Sequence, residues 1–288
     1  VSCINGSPLY QLDLQRRFGH LRNGGRQRDL DNFVQASLLY TLKTRRPDLT
    51  LVHFTDADTN RHLYGVRSRE AKEALRRHDR RLGEIFRLLE EMGWSGRANV
   101  AVLGDHYQMD VNRALCLNWY FLKRNWLTVR GRKVTGWRAL ARECDGSCYI
   151  YLRDPSLCGA VRELLEQLKD RGMIGEIRTG REAAALGADP ACAFMAEGGE
   201  GVYFQNGWEA PVITADSGKL QRATHGFYPD QAGYTTVFGG RGPAFAAGAR
   251  EASMTLADEG ATLAAAMGLK FSRADGKIRK NLLSISGN

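Results

Sequence analysis

The sequence lacks any apolar run near the roughly 20 residues that a membrane-spanning helix requires. Its 43% hydrophobic residues are therefore free to build a buried core. It also lacks an initiator Met, and Val1 to Leu9 do not show the basic-then-apolar layout of a secretory signal. The natural protein is expected to begin upstream of Val1, which leaves the compartment open, with a cytoplasmic one slightly favoured. Cysteine is sparse: Cys3, Cys116, Cys144, Cys148, Cys158 and Cys192 are scattered through 288 residues. A chain of that length needs no disulfide staples, so reduced thiols are expected. Cys144 and Cys148 are close enough to clip a loop or share a metal, but a zinc ribbon would need a second such pair. There is no internal repeat and no low-complexity tract. Nor is there a long block of one charge: 41 Lys and Arg against 32 Asp and Glu give +9, yet the signs interleave from Arg67 to Glu91 as on a solvated helix face. That pattern argues against a stable nucleic-acid partner and suits a small anionic substrate drawn in by the surplus field. Nothing in the composition sets the oligomeric state.

What is present reads as α/β. Leu30, Val34, Leu38 and Leu42 recur every fourth residue, with Asp29 as cap and Pro47 as stop, which predicts a helix from Asp29 to Arg46. Leu49 to Thr55 reads as a short buried strand, Ser68 to Met92 as a long amphipathic helix ended by Gly93, and Asn99 to Leu103 as a second strand. Strand, helix, strand at this spacing predicts a βαβ unit with parallel strands. Beyond Val111 the texture changes to helix-like Asn118 to Asn125, alternating Cys148 to Leu152, and an amphipathic helix carrying Val161, Leu164, Leu165 and Leu168. A strand at Tyr234 to Phe238 and an Ala-rich helix from Leu256 to Met267 return to the first pattern. The expectation is a mostly parallel central sheet with helices on both faces, formed by 1–110 and 223–288, with 111–222 as an inserted α+β subdomain.

The chemistry-bearing residues stand directly after these predicted strands. Asp56, Asp58 and His62 follow the first; Asp105 and His106 follow the second; His225 precedes Gly226 before the strand at Tyr234. Carboxyl ends of parallel strands are where open α/β sheets bind ligands, so the groups are expected to converge. Carboxylate and imidazole without thiolate suit zinc or another divalent first-row ion. Alone, each has a plainer reading: a loop His is usually a surface residue, and an Asp at a strand end is usually a cap.

Their order and setting are more specific. Asp58, His62 and Gly65, then Asp105 and His106, then His225-Gly226-Phe227, followed by Gly-Arg-Gly-Pro-Ala-Phe, resemble the alkaline phosphatase superfamily, in particular its type I phosphodiesterase/nucleotide pyrophosphatase branch. The resemblance covers essentially the whole chain. It implies two divalent metal ions, with Asp58, His62 and His225 on one and Asp105 with His106 on the other, and hydrolysis of phosphodiester or nucleotide pyrophosphate bonds. Arg61 replaces a family Gly, Gly104 and Tyr107 flank Asp-His where Ser and Gly are common, and Ala261 stands where Pro is frequent. The family's Thr or Ser nucleophile, another Asp and an Asn lie far ahead of the first motif and are expected upstream of Val1. Ser7, Thr55 and Thr59 do not have the required setting. Asp56 either orients a ligand imidazole or caps a turn. His53 reads as a core histidine. Trp119, Tyr120, Trp126, Trp137 and Trp208 either line a cleft or, more simply, pack the inserted lobe. The same ligands would serve a phosphomonoesterase, a sulfatase or a noncatalytic metal-binding relative.

Overall fold

A computed structural model describes residues 6–214, 218 and 220–284; Cys3 lies outside them. The chain divides into two compact units, one made of Val1–Asp56, Ala74–Asp105 and Thr235–Asn288, the other of Ala57–Glu73 and His106–Tyr234. No helix among the described residues is long and apolar enough to cross a membrane.

The first unit begins with α1 (Pro8–Phe18), started by a Pro whose missing N–H costs a first turn nothing. In α2 (Asp29–Arg45), acids open and bases close the helix, in keeping with its dipole, and Arg46 terminates it at a left-handed φ of 48° ahead of Pro47. Leu38 and Leu42 of α2 meet Leu88 of the long α4 (Arg69–Glu91), with Phe54 and Ile85 against them. The same face of α4 carries cations inward. Arg77 donates two hydrogen bonds, of 2.6 and 2.9 Å, to the fully buried carboxylate of Asp56, and Arg81 adds a third at 3.3 Å. Burial raises the pKa of Asp56, but these hydrogen bonds and charges outweigh it and hold the group below the ordinary carboxylate range. Asp31, also buried, accepts the backbone N–H groups of Thr55 and Asp56, both at 3.1 Å. It thereby anchors the start of α3 (Asp56–Tyr64). Strand β1 (Val100–Leu103) pairs with β13 (Phe238–Arg241), and α8 (Leu256–Ala266) closes the unit.

The second unit holds most of the strands. After β2 (Met109–Asp110), β3 (Arg113–Leu115) and α5 (Leu117–Lys123) come the hairpin β4 (Leu127–Arg130) with β5 (Lys133–Trp137), then β6 (Ala139–Cys144) and β7 (Ser147–Leu152). Helix α6 (Cys158–Asp170), β8 (Ile174–Thr179), the short α7 (Gly180–Ala184), β9 (Phe194–Gly198), β10 (Val202–Phe204), β11 (Val212–Thr214) and β12 (Ala223–Thr224) complete it. A four-stranded antiparallel sheet in the order β6-β7-β9-β8 packs Ala141, Ile150 and Ala196 against Val161, Leu165 and Leu168 of α6. Trp126 lies in the same core and Trp137 packs on it, which is the plainer of the two roles considered for these aromatics. Buried Asn118 stands in for a strand by donating to the Ala141 carbonyl and accepting its N–H, both at 2.9 Å.

The expected mostly parallel sheet is not found. Four of the five sheets among the described residues are antiparallel, and the fifth is mixed, with β10 parallel and β11 antiparallel to β3. The predicted βαβ unit fails at its first strand: residues 49–55 form no strand, and Leu51 is 85% exposed. Strand β1 runs antiparallel to β13, with Leu103 opposite Phe238. The physical reason is that an apolar, β-branched run becomes a strand only when a neighbour takes up its N–H and C=O groups, and its composition does not name that neighbour. Asp145-Gly146 between β6 and β7 is a two-residue hairpin, with Asp145 at φ 55°. Asp-Gly flanked by strand residues is a strong antiparallel signal.

Candidate metal centre

Four of the six residues singled out in the sequence come together in the second unit, and helix geometry brings the first two together. Asp58 and His62 are four apart on α3, so their side chains share one face. They do not hang from the end of a strand, as the sequence pattern suggested. Gly65, at φ 100°, ends that helix, and the turn is held by Asp110, whose Oδ1 accepts the Val66 N–H at 2.7 Å. Asp110 also lies in β2, which pairs with β12 in the register Ala223 opposite Asp110 and Thr224 opposite Met109. This short ladder delivers the remaining two residues. His106 leads into β2, and His225 follows β12 directly.

The carboxylate of Asp58 stands at the middle. Its Oδ1 is 3.2 Å from His62 Nε2 and 3.9 Å from both His106 Nε2 and His225 Nε2. The His106 and His225 rings stack with centroids 4.0 Å apart, and His62 meets His225 edge to face at 5.1 Å. Ligand atoms of Asp58, His62 and His225 all lie within 4.8 Å of one another, and the three side chains are half-buried. One carboxylate oxygen and two imidazole nitrogens at that spacing form a donor set suited to a divalent ion with a position left open.

The second nitrogen of His62 fixes its tautomer. Nδ1 lies 2.8 Å from the Ala223 carbonyl, which can only accept, so Nδ1 carries the proton and Nε2 faces Asp58. Burial disfavours the charged form of His62, but the hydrogen bond and charge of Asp58, followed by the Ala223 carbonyl, outweigh it and raise its pKa. Burial likewise raises the carboxyl of Asp58, and His62 above all, with His225 and His106, brings it below its ordinary value. His225 shifts the other way: burial lowers its pKa, and the neighbouring His106 adds to the effect. A neutral imidazole is the form that binds a metal ion.

Gly226 makes the position of His225 possible. It sits at φ 75°, and a Cβ there would overlap the carbonyl oxygen of Cys144, at the end of β6. The Gly146 N–H in the same hairpin donates to the His225 carbonyl at 2.7 Å. The backbone of His225-Gly226 is thus pressed onto the β6–β7 turn, while Phe227 is buried beside Val111, Ala114 and Tyr203.

The other two candidates belong to the first unit. Asp56 is bound by Arg77 and Arg81 as described, and Asp105 stands 3.7 Å from His53 Nε2. His53, expected in the core, is instead exposed, because its segment forms no strand. The five described cysteines, Cys144 and Cys148 among them, are free thiols. One residue at the cluster had no signal in the sequence: Gln108, which donates to Asp58 Oδ1 at 2.9 Å.

A family model described as type I phosphodiesterase/nucleotide pyrophosphatase matches residues 10–227. The chain belongs to that family. Its fold is similar to that of murine ectonucleotide pyrophosphatase/phosphodiesterase 5, with a TM-score of 0.66 at 18% identity over 88% of this chain and 64% of the murine one. The human protein of the same name gives a TM-score of 0.67 at 17% identity, covering 89% of this chain and 64% of that one. An inactive variant of the murine protein in complex with AMP gives 0.66 at 17% identity, over 88% and 63%. The chain therefore spans just under two thirds of the length of these family members. Identity this low carries the fold and nothing finer.

Proposed function

We propose that this chain supplies the metal-binding part of a hydrolase acting on phosphate esters, in particular phosphodiester or nucleotide pyrophosphate bonds. The observation that carries the reading is the Asp58, His62 and His225 cluster, with the His62 tautomer set by the Ala223 carbonyl. Family membership and the AMP bound by the inactive murine relative supply the substrate class. Zinc is the proposed ion, since a carboxylate and two imidazoles suit it. Two ions are proposed, the first on Asp58, His62 and His225, the second engaging His106. Bound there, divalent ions would neutralise phosphoryl oxygens and lower the pKa of an attacking oxygen. The chain's own part is to hold these ligands. α3 fixes Asp58 and His62, the β2–β12 ladder fixes His106 and His225, and the half-buried setting limits competition from water.

The test pairs metal with nucleotide. Zinc should raise the melting temperature of the chain, and AMP should bind in calorimetry when zinc is present and not when it is chelated. His225→Ala should lose both responses, while His20→Ala, an exposed residue of the first unit, should keep them. Equal zinc responses in all three proteins would remove the site. Zinc binding without any AMP binding would remove the nucleotide reading and leave the metal centre.

A further inference from the structure

The side chain of Gln108 is 1% exposed, and nothing in the pattern of motifs explains an amide there. Its Nε2 donates to Asp58 Oδ1 at 2.9 Å and approaches the Asp58 backbone carbonyl at 3.4 Å. The amide must point this way, because turning it would set Oε1 against a carboxylate and a carbonyl, three acceptors face to face. Its own Oε1 is buried without a hydrogen-bond partner. A buried amide that satisfies only one end is a costly core residue. Two apolar neighbours, Met109 and Val111, show that this stretch otherwise supplies apolar side chains to the interior.

We propose that Gln108 is a positioning residue that holds the Asp58 carboxylate in the orientation that receives the metal ion. This rests on the reading of Asp58 as a metal ligand. An aspartate has freedom about both of its side-chain torsions, and α3 alone fixes only its Cα. With one N–H on the carboxylate and the other directed to the carbonyl of the same residue, Gln108 grips Asp58 at two points. A neutral donor can do this without competing for the charge that the ion needs, as Arg or Lys would. Its place in the chain is also apt: Gln108 lies between His106 and β2, the strand that pairs with β12 and so sets His225. A single residue thus ties the carboxylate on the helix to the ladder that carries the imidazoles. Partners of this kind, which hold a ligand and do not touch the ion, commonly set metal affinity within a factor of about 10–100.

The experiment measures zinc affinity of the whole chain by competition with a chromophoric chelator, for wild type, Gln108→Met, Gln108→Leu and His225→Ala, each with a metal-free thermal melt. Both Gln108 variants keep similar volume and remove the donors. The expected result is a loss of about 10-fold or more in zinc affinity for both, with metal-free melts close to wild type, since the orphaned acceptor is removed with the hydrogen bond. A merely structural role would move the metal-free melt and leave the affinity of the folded protein unchanged, and that result overturns the proposal. So does wild-type affinity in either variant, which makes one folded variant sufficient. If wild type binds no zinc, or His225→Ala binds as well as wild type, the metal-site reading itself fails, an outcome distinct from a failure confined to Gln108.

Discussion

Replacing Gly226 with Ala tests whether the backbone at the metal centre is held as tightly as its contacts imply. Two costs add. A left-handed residue with a Cβ costs about 1–2 kcal/mol, and forcing that Cβ into a packed neighbour typically costs about 1–3 kcal/mol. Here the neighbour is the Cys144 carbonyl, part of a hydrogen-bonded hairpin that cannot move as a flexible side chain could. Stiffening of the unfolded chain offsets about 0.4–1 kcal/mol. The net loss is about 2–4 kcal/mol, a fall in melting temperature on the order of 10 °C for a domain of this size. Gly172→Ala is the internal control. Gly172 has φ 67° and nothing within 4 Å of its Cβ position, so it carries the left-handed cost alone, about 1 kcal/mol after the same offset. Urea unfolding of the two variants gives the difference, and zinc titration adds an independent reading. Gly226→Ala retains the His225 imidazole but should lose most of the zinc-dependent stabilisation, because the backbone that aims it must shift. Equal stabilities for the two variants, or an undiminished zinc response in Gly226→Ala, would refute the claim that Gly226 places His225.

Arg77→Ala should destabilise the first unit by about 3–5 kcal/mol in urea unfolding, since it removes the two-point partner of the fully buried Asp56 carboxylate. Adding Asp56→Asn should recover part of that loss, and a fully additive double variant would show that the pair is not coupled. Asp258 is held well below the carboxylate range by the backbone N–H groups of Lys277 and Thr255 and by Arg279. Its folded pKa is depressed, so its contribution is complete above the unfolded value of 3.8 and is lost as pH falls through the folded value. Asp258→Asn should cost about 2 kcal/mol at neutral pH and flatten the acid limb of a stability–pH curve. A variant that keeps the wild-type acid limb would exclude this group as its source.

The candidate ligands were legible in the sequence because their chemistry is local: an acid and an imidazole four apart, an Asp-His pair, and a His-Gly-aromatic triplet. Their supports were not. The apolar, β-branched run Leu49 to Thr55 points to a strand ahead of Asp58 and His62, whereas the backbone at Thr55 and Asp56 is fixed by the Asp31 carboxylate, a residue that alone reads as part of a helix start. The antiparallel pairing is not legible for a related reason. Strand length and alternation can be read from a sequence, but the partner depends on where the chain turns, which the strand-helix-strand spacing at the front of the chain does not show and the Asp145-Gly146 hairpin does. The contacts of Asp105 with His53 and of His106 with Asp58 have no sequence signal.

The arrangement of the cluster links metal binding to folding. Asp58 and His62 are local to one helix, but His106 and His225 lie 119 positions apart. The two-residue β2–β12 ladder meets at their chain ends, held further by the Arg222 N–H on the His62 carbonyl at 2.7 Å and by Gly146 on His225. A ladder so short contributes little by itself, since isolated pairs of strands are marginal in water. What fixes it is the closed loop of contacts through α3, Asp110, Ala223 and the β6–β7 turn. An ion bound by Asp58, His62 and His225 would act on the same elements, bridging the helix to the strand end. Its binding free energy would therefore enter as folding free energy of this unit.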